Sequence, residues 1–210
     1  MVPGTLSESA QAALAVLGTS EIIRKCYLAG GSALALQLGH RMSYDFDFFT
    51  REKLQAQAIA THLADLGAFT TTLLEPPHTV MGEFDGVKFS LFRYDYPLIG
   101  KTVVFGGVTL ASIEDIAAMK LSAIGGRATK RDYIDIYVIS RQIPLDSQFE
   151  LFEKKFGVLG NNRYITIKAL GYFDDAEGDD IPRILDTSVT WEKVKDFLAH
   201  ESMRLAKIAF

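Results

Sequence analysis

A single cysteine, Cys26, stands in a chain of 210 residues. Without a second thiol there is no internal disulfide, so packing alone must hold the fold, as is usual in a reducing compartment. Long apolar runs are missing too. None reaches the roughly 18–20 residues that a membrane-spanning helix needs. The start, "MVPGTLSESAQ", has no basic residues ahead of an apolar block, the pattern of a secretory signal. These absences predict a soluble cytoplasmic protein with no membrane partner. Nor is there an excess of positive charge: a formal net charge of −4 argues against a general nucleic-acid coat, although a local basic groove remains compatible with it. The chain carries no Gly-x-x-x-x-Gly-Lys-Ser/Thr and no Gly-x-Ser-x-Gly, which sets aside P-loop and serine-hydrolase chemistry. His62, His78 and His200 share no spacing that would let them bind zinc together, and Cys26 adds no partner.

What is present is ordinary globular material, with 48% hydrophobic and 23% charged residues, enough for a sizeable core. Residues 7–26 read as a helix broken near Gly18-Thr19-Ser20. A short strand "CYLAG" and an Ala/Leu-rich helix from Ser32 to Leu38, ended by Gly39, follow. "SYDFDFFT" reads as a strand, and Lys53 to Leu66 as an amphipathic helix. "FTTTLLE", "HTVMGEFDG", "VKFSLFRYDY" and "TVVFGGVTLA" are β-rich, with a hairpin signal at Asp85-Gly86. From Ser112 the pattern is helical: "SIEDIAAMKLSAI", with Asp115 three residues after Ser112 in a capping-box variant, then "KRDYIDIYVISRQI", "DSQFELFEKKFG" and "WEKVKDFLAHESMRLAKIAF". The acidic stretch 171–190 reads as a surface loop, and Trp191 as core. The expected class is α+β (α/β in two lobes): a mixed β-sheet flanked by helices over 1–110 and a helical C-terminal lobe over 111–210.

The segment "YLAGGSALALQLGHRMSYDFDFF", Tyr27 to Phe49, carries the chemistry. Gly30-Gly31-Ser32 at a strand-to-helix turn lets backbone amides approach a phosphate, and Ser32 adds a hydroxyl. Period-two alternation puts Asp45 and Asp47 on one face of the next strand and Phe46 and Phe48 on the other. Side chains at i and i+2 lie about 7 Å apart at the backbone, near enough to converge on a divalent cation. Magnesium suits two carboxylates and phosphate oxygens.

This wording resembles the first motif of the nucleotidyltransferase superfamily that includes DNA polymerase β, and within it the AbiEii-type nucleotidyltransferases, the type IV toxins. His40, Arg41 and Ser43 match the family wording between the glycines and the acids. "IEDIAAMKLSAIGGRATKRDYIDIYVI" resembles the family's second block, with Lys120, Arg131, Asp132 and Asp135 matching in order. The resemblance spans roughly residues 20–140. It implies transfer of a nucleoside monophosphate from an NTP to an acceptor hydroxyl with release of pyrophosphate. Asp45 and Asp47 would hold Mg²⁺. Gly30, Gly31, Ser32, Arg41 and Arg131 would bind the nucleotide. Lys120 would neutralise the triphosphate, and Asp132 or Asp135 would orient that lysine or the acceptor. The implied acceptor is RNA, notably the tRNA 3′ end, and the implied partner is a cognate antitoxin. Arg127 and Lys130 make the intervening loop basic, facing either phosphate or water.

One departure bears on catalysis. Active members of the superfamily generally have a third carboxylate on a neighbouring strand. Here "GVKFSLFRYDY" offers Lys88, Ser90 and Phe92 at the inward positions, with Asp85 and Asp95 only at its ends. Either Asp132 or Asp135 takes that role, or the metal site is reduced. A non-catalytic nucleotide-binding module and a transferase acting on a small molecule are the alternatives.

Overall fold

A computed structural model describes residues 1–126, 128–157 and 162–209, without the side chains of 162 and 209. Arg127, one of the two residues expected to make a basic loop, lies outside the described residues. The chain divides into two compact units, one of Met1–Pro97 with Lys101–Ser112, the other of Leu98–Gly100 with Ile113–Phe210.

The first unit is built on a seven-stranded mixed sheet of order β3-β4-β5-β2-β1-β7-β6. Its strands are β1 (Tyr27–Ala29), β2 (Asp45–Thr50), β3 (Phe69–Glu75), β4 (Thr79–Phe84), β5 (Val87–Arg93), β6 (Val103–Phe105) and β7 (Val108–Leu110). Helices α1 (Glu8–Leu17), α2 (Glu21–Arg24), α3 (Gly30–Leu38) and α4 (Ala56–Leu66) pack against it. The break expected near Gly18 is there. Ser7 caps α1 by accepting from the Ala10 amide at 3.1 Å, and Ser20 caps α2 from Ile23 at 3.3 Å. Gly39 ends α3 in the left-handed conformation.

β2 runs through the middle of the sheet and alternates as the sequence predicts. Phe46, Phe48 and Thr50 are buried, while Asp45, Asp47 and Phe49 are half-buried on the other face. On the buried face Phe46 and Phe48 join Leu28, Phe89 and Leu91, all fully enclosed. Each such side chain contributes about 1.5–3 kcal/mol over exposure, which makes this face the anchor of the sheet. Asp85 and Gly86, at φ 48° and 77°, close the β4–β5 hairpin. The β-rich "TVVFGGVTLA" forms the β6–β7 hairpin, because Gly106 and Gly107 turn the chain at φ 56° and 81°. Helix α4 starts at Ala56 rather than Lys53, and the Leu54 amide is held by the Pro77 carbonyl at 3.1 Å.

The second unit is helical: α5 (Ile113–Gly126), α6 (Lys130–Ser140), α7 (Leu145–Phe156), α8 (Asn162–Leu170), α9 (Asp174–Glu177) and α10 (Trp191–Ala209). Helix α5 packs on α6, α7 and α8, and α10 on α6 and α8. Helix α8, whose apolar residues follow no clear period, and the four-residue α9, inside the stretch 171–190 expected to be a surface loop, are elements that pattern reading does not find. Lys130 is buried rather than part of a basic surface. Its ammonium donates to the Asp179 carbonyl at 2.7 Å and the Glu177 carbonyl at 3.3 Å, and lies 5.3 Å from the centroid of the Trp191 ring. Lys130 thus pins the acidic 171–190 stretch, and Trp191 is core as its sequence context suggests. No described helix is long and apolar enough to cross a membrane.

Candidate active site

The turn between β1 and α3 places Gly30 against Asp47 and Gly31 against Arg41. Helix α3 begins at Gly30, two residues earlier than the sequence suggests, so Gly30, Gly31 and Ser32 form its first turn. The amides there have no partner within the helix, and they sit at the positive end of its dipole. Gly30 adopts φ +64°, and a Cβ on it would come within 3.0 Å of the Asp47 carboxylate. A Cβ on Gly31 would stand 2.5 Å from Arg41 Nη2 and 3.0 Å from Ser43 Oγ. Glycine is required at both positions: at the first by the left-handed backbone, at the second by the close approach of Arg41.

Arg41 is only 2% exposed. Its guanidinium packs under the turn, with Nη1 donating to the Met42 carbonyl at 3.0 Å. The Ser32 hydroxyl contacts the Asp45 carbonyl oxygen and lies 3.0 Å from Ser43 Oγ. Ser32 therefore fastens the first turn of α3 to the start of β2, which fixes the acids relative to the glycine amides. We expect Gly31→Ala to weaken cation-dependent nucleotide binding at least ~10-fold while costing ~1–3 kcal/mol of stability, because the buried Arg41 has nowhere to move. Calorimetry with Mg²⁺ and NTP, alongside thermal unfolding, checks both quantities.

The register of β2 with its neighbours shows what flanks the acids. Across β5, Asp45 pairs with Lys88, Asp47 with Ser90 and Phe49 with Phe92. Across β1, Asp47 pairs with Ala29 and Phe49 with Tyr27. The acids' face continues into an aromatic row: Phe49 lies 5.8 Å from Tyr27, 5.6 Å from Phe92 and 5.2 Å from Tyr94 between ring centroids. The position where a third acid would stand holds Lys88 and Ser90, as the strand reading anticipates. Asp85 lies in the hairpin turn, and Asp95 pairs with Arg93 at 3.0 Å beyond the strand. Among the described residues no group of three or more His, Cys, Asp or Glu could hold a metal. The two aspartates fit a hard divalent cation as a pair of oxygen ligands, with phosphate and water oxygens left to complete its shell.

The second block forms its own cluster inside the helical unit. Lys120 Nζ lies 2.8 Å from Asp132 Oδ1 and 2.7 Å from Asp135 Oδ2. The other oxygen of Asp132 accepts from the Thr129 amide at 3.1 Å and from its hydroxyl at 2.6 Å, closing the N-terminus of α6 as a capping box. Asp132 is thus held at both oxygens, and the Asp135 side chain is 0% exposed. These commitments make the two aspartates partners of Lys120. Arg131, on the same helix, is exposed. Next to Asp132, burial drives the Tyr133 phenol pKa well above its ordinary range, with Asp175 and Asp132 adding to it. Its hydroxyl donates to the Ala169 carbonyl at 3.0 Å and contacts that of Tyr172.

The chain is similar to known proteins. The family described as "Nucleotidyl transferase AbiEii toxin, Type IV TA system" matches residues 12–91 and 93–203, a wider span than the two motif blocks. An uncharacterised protein of Aquifex aeolicus is 34% identical over 177 residues, covering 81% of this chain and 83% of its own. Among solved structures, JHP933 from Helicobacter pylori superposes with a TM-score of 0.57 at 19% identity over 97% of this chain and 94% of its own. The nucleotidyltransferase toxin MenT4 from Mycobacterium tuberculosis gives a TM-score of 0.59 at 18% identity, over 92% of this chain and 82% of that one. At such identities the two structures bear on the fold.

Proposed function

The chain belongs to the AbiEii nucleotidyl transferase toxin family, and from that premise we propose that it moves a nucleoside monophosphate from an NTP to a hydroxyl of RNA, the tRNA 3′ end foremost, using Mg²⁺. That it is a nucleotidyltransferase follows from the family; the acceptor and the metal's identity are our reading. The observation that carries this reading is the pair of half-buried residues Asp45 and Asp47 on one face of β2, with the Asp47 carboxylate against Gly30 and Ser32 on the Asp45 carbonyl.

In the proposed reaction the acceptor oxygen attacks the α-phosphorus. The new O–P bond forms as the bond to the bridging oxygen breaks, pyrophosphate leaves, and the acceptor's proton passes to solvent. Asp45 and Asp47 would hold the divalent cation, which would supply positive charge to offset that of the triphosphate. The amides of Gly30, Gly31 and Ser32 receive phosphate oxygens, and Arg41 holds the turn in shape from beneath. Lys120 is the lysine assigned to the triphosphate, with Asp132 and Asp135 as positioning residues that fix its ammonium. Arg131, exposed on α6, is assigned to the nucleotide's phosphates. The family's toxin–antitoxin setting supports a cognate antitoxin encoded alongside, and a chain with a single cysteine fits a cytoplasmic site of action.

The test is incubation of the purified protein with each α-labelled NTP, Mg²⁺ and total RNA. Label at the 3′ end of a tRNA band is the expected result. Label only on a small molecule would move the acceptor assignment, and no label with any NTP and any cellular fraction would remove the transfer reading.

A further inference from the structure

The strand that lacks the third acid carries a cation at that place. We propose that the Lys88 ammonium stands in for a second metal ion, so that this is a one-cation nucleotidyltransferase site; the inference rests on the reading of Asp45 and Asp47 as the cation's ligands. Lys88 is the register partner of Asp45 across parallel strands β2 and β5. Paired backbones lie about 4.8 Å apart and put both side chains on one face of the sheet. Lys88 is exposed, and its register places it on the acids' face of the sheet. Ser90, the partner of Asp47, is buried and brings no charge.

The charge balance favours this arrangement. Two divalent cations set against three carboxylates leave the same net charge as one divalent cation and one ammonium set against two. With only two carboxylates in the first unit's motif, a second ion would lack a protein ligand of its own. An ammonium at Lys88 needs none, because it is tethered to the sheet. Its three donors can meet the acceptor oxygen as negative charge develops there, while the proton leaves to solvent and pyrophosphate departs as described above.

The plain competing role is a surface charge ladder, since Glu83 on β4 is the register partner of Lys88 on its other side. The two roles separate cleanly. In a ladder Glu83 and Lys88 matter alike and only slightly, whereas in the site Lys88 matters alone.

The decisive measurement counts ions without requiring turnover. Full-length protein with an α,β-methylene NTP is titrated with Mn²⁺ and bound ions are counted by electron paramagnetic resonance. The wild-type chain should hold one ion per site, and Lys88→Asp, which restores the third carboxylate, should hold two. Two ions in the wild type, none in the wild type, or no added ion in Lys88→Asp would each overturn the proposal. In single turnover, Lys88→Ala should lose ~10²–10³-fold in rate with nucleotide affinity within ~3-fold of wild type. A Lys88→Ala rate equal to wild type would also overturn it, as would a Glu83→Gln variant falling as far as Lys88→Ala. If the ion counts come out as one and two but no acceptor is ever labelled, the placement of Lys88 stands and the transfer reading fails.

Discussion

Asp45→Asn and Asp47→Asn are each expected to reduce Mg²⁺-dependent nucleotide transfer by at least ~10³-fold, more than the loss of a single neutral donor costs. The reason is chemical rather than steric. Asparagine keeps the shape of aspartate, so the packing over Gly30 survives, but it replaces a charged oxygen ligand with a neutral amide that holds a hard cation poorly. Stability should change little. Both side chains are half-buried on the sheet face opposite the anchoring Phe46 and Phe48. A change of ~1 kcal/mol would move the melting temperature by only ~2–4 °C in a chain of this size. Measuring label incorporation and thermal unfolding on the same preparations separates lost chemistry from lost fold. Full activity in a folded Asp45→Asn protein would sink the metal assignment. Added Mn²⁺ should restore neither variant fully, because the missing charge belongs to the protein.

The acids' face was readable from the sequence because a strand's period is two and β2 is central. Phe46 and Phe48 could be buried only if Asp45 and Asp47 faced the other way, and the structure has them so. Even the register gap is legible, since the alternation of "GVKFSLFRYDY" already puts Lys88, Ser90 and Phe92 on the face that meets Asp45, Asp47 and Phe49. What escaped the sequence are side chains whose partners are distant in the chain. Lys130 reads as a solvated loop charge, yet its acceptors are backbone carbonyls 47 and 49 residues away. Nothing local signals that a lysine will be desolvated by carbonyls and an indole ring. Arg41 is similar: its place under Gly31 depends on how β1, α3 and β2 come together, which no periodicity encodes. A carboxylate that caps its own helix and one that supplies a metal ligand look alike in sequence; the structure adds that Asp132 contacts Thr129 and Lys120, and Asp135 contacts Lys120.

The second large effect concerns a buried ion pair in the helical unit. Asp115 on α5 and Lys155 on α7 lie 2.7 Å apart, both side chains 0% exposed. The same carboxylate accepts from the Ile99 amide at 3.0 and 3.2 Å and from the Gly100 amide at 3.0 Å. It therefore serves the Leu98–Gly100 segment, α5 and α7 together. Asp115→Ala takes the carboxylate from a buried ammonium and from two backbone donors at once, so we expect a loss of ~3–5 kcal/mol, the cost of breaking a buried pair from one side. Lys155→Met should cost less, because its stem volume is kept and the carboxylate retains its amide donors. The double variant Asp115→Ala, Lys155→Met should lose less than the sum of the two, since both charges of the pair are then gone. Urea unfolding followed by tryptophan fluorescence reads this unit selectively: the chain has one tryptophan, Trp191, and it is buried within the helical unit. Equal losses for the two single variants would mean that the amide contacts add nothing. Strict additivity in the double variant would mean that the pair does not interact.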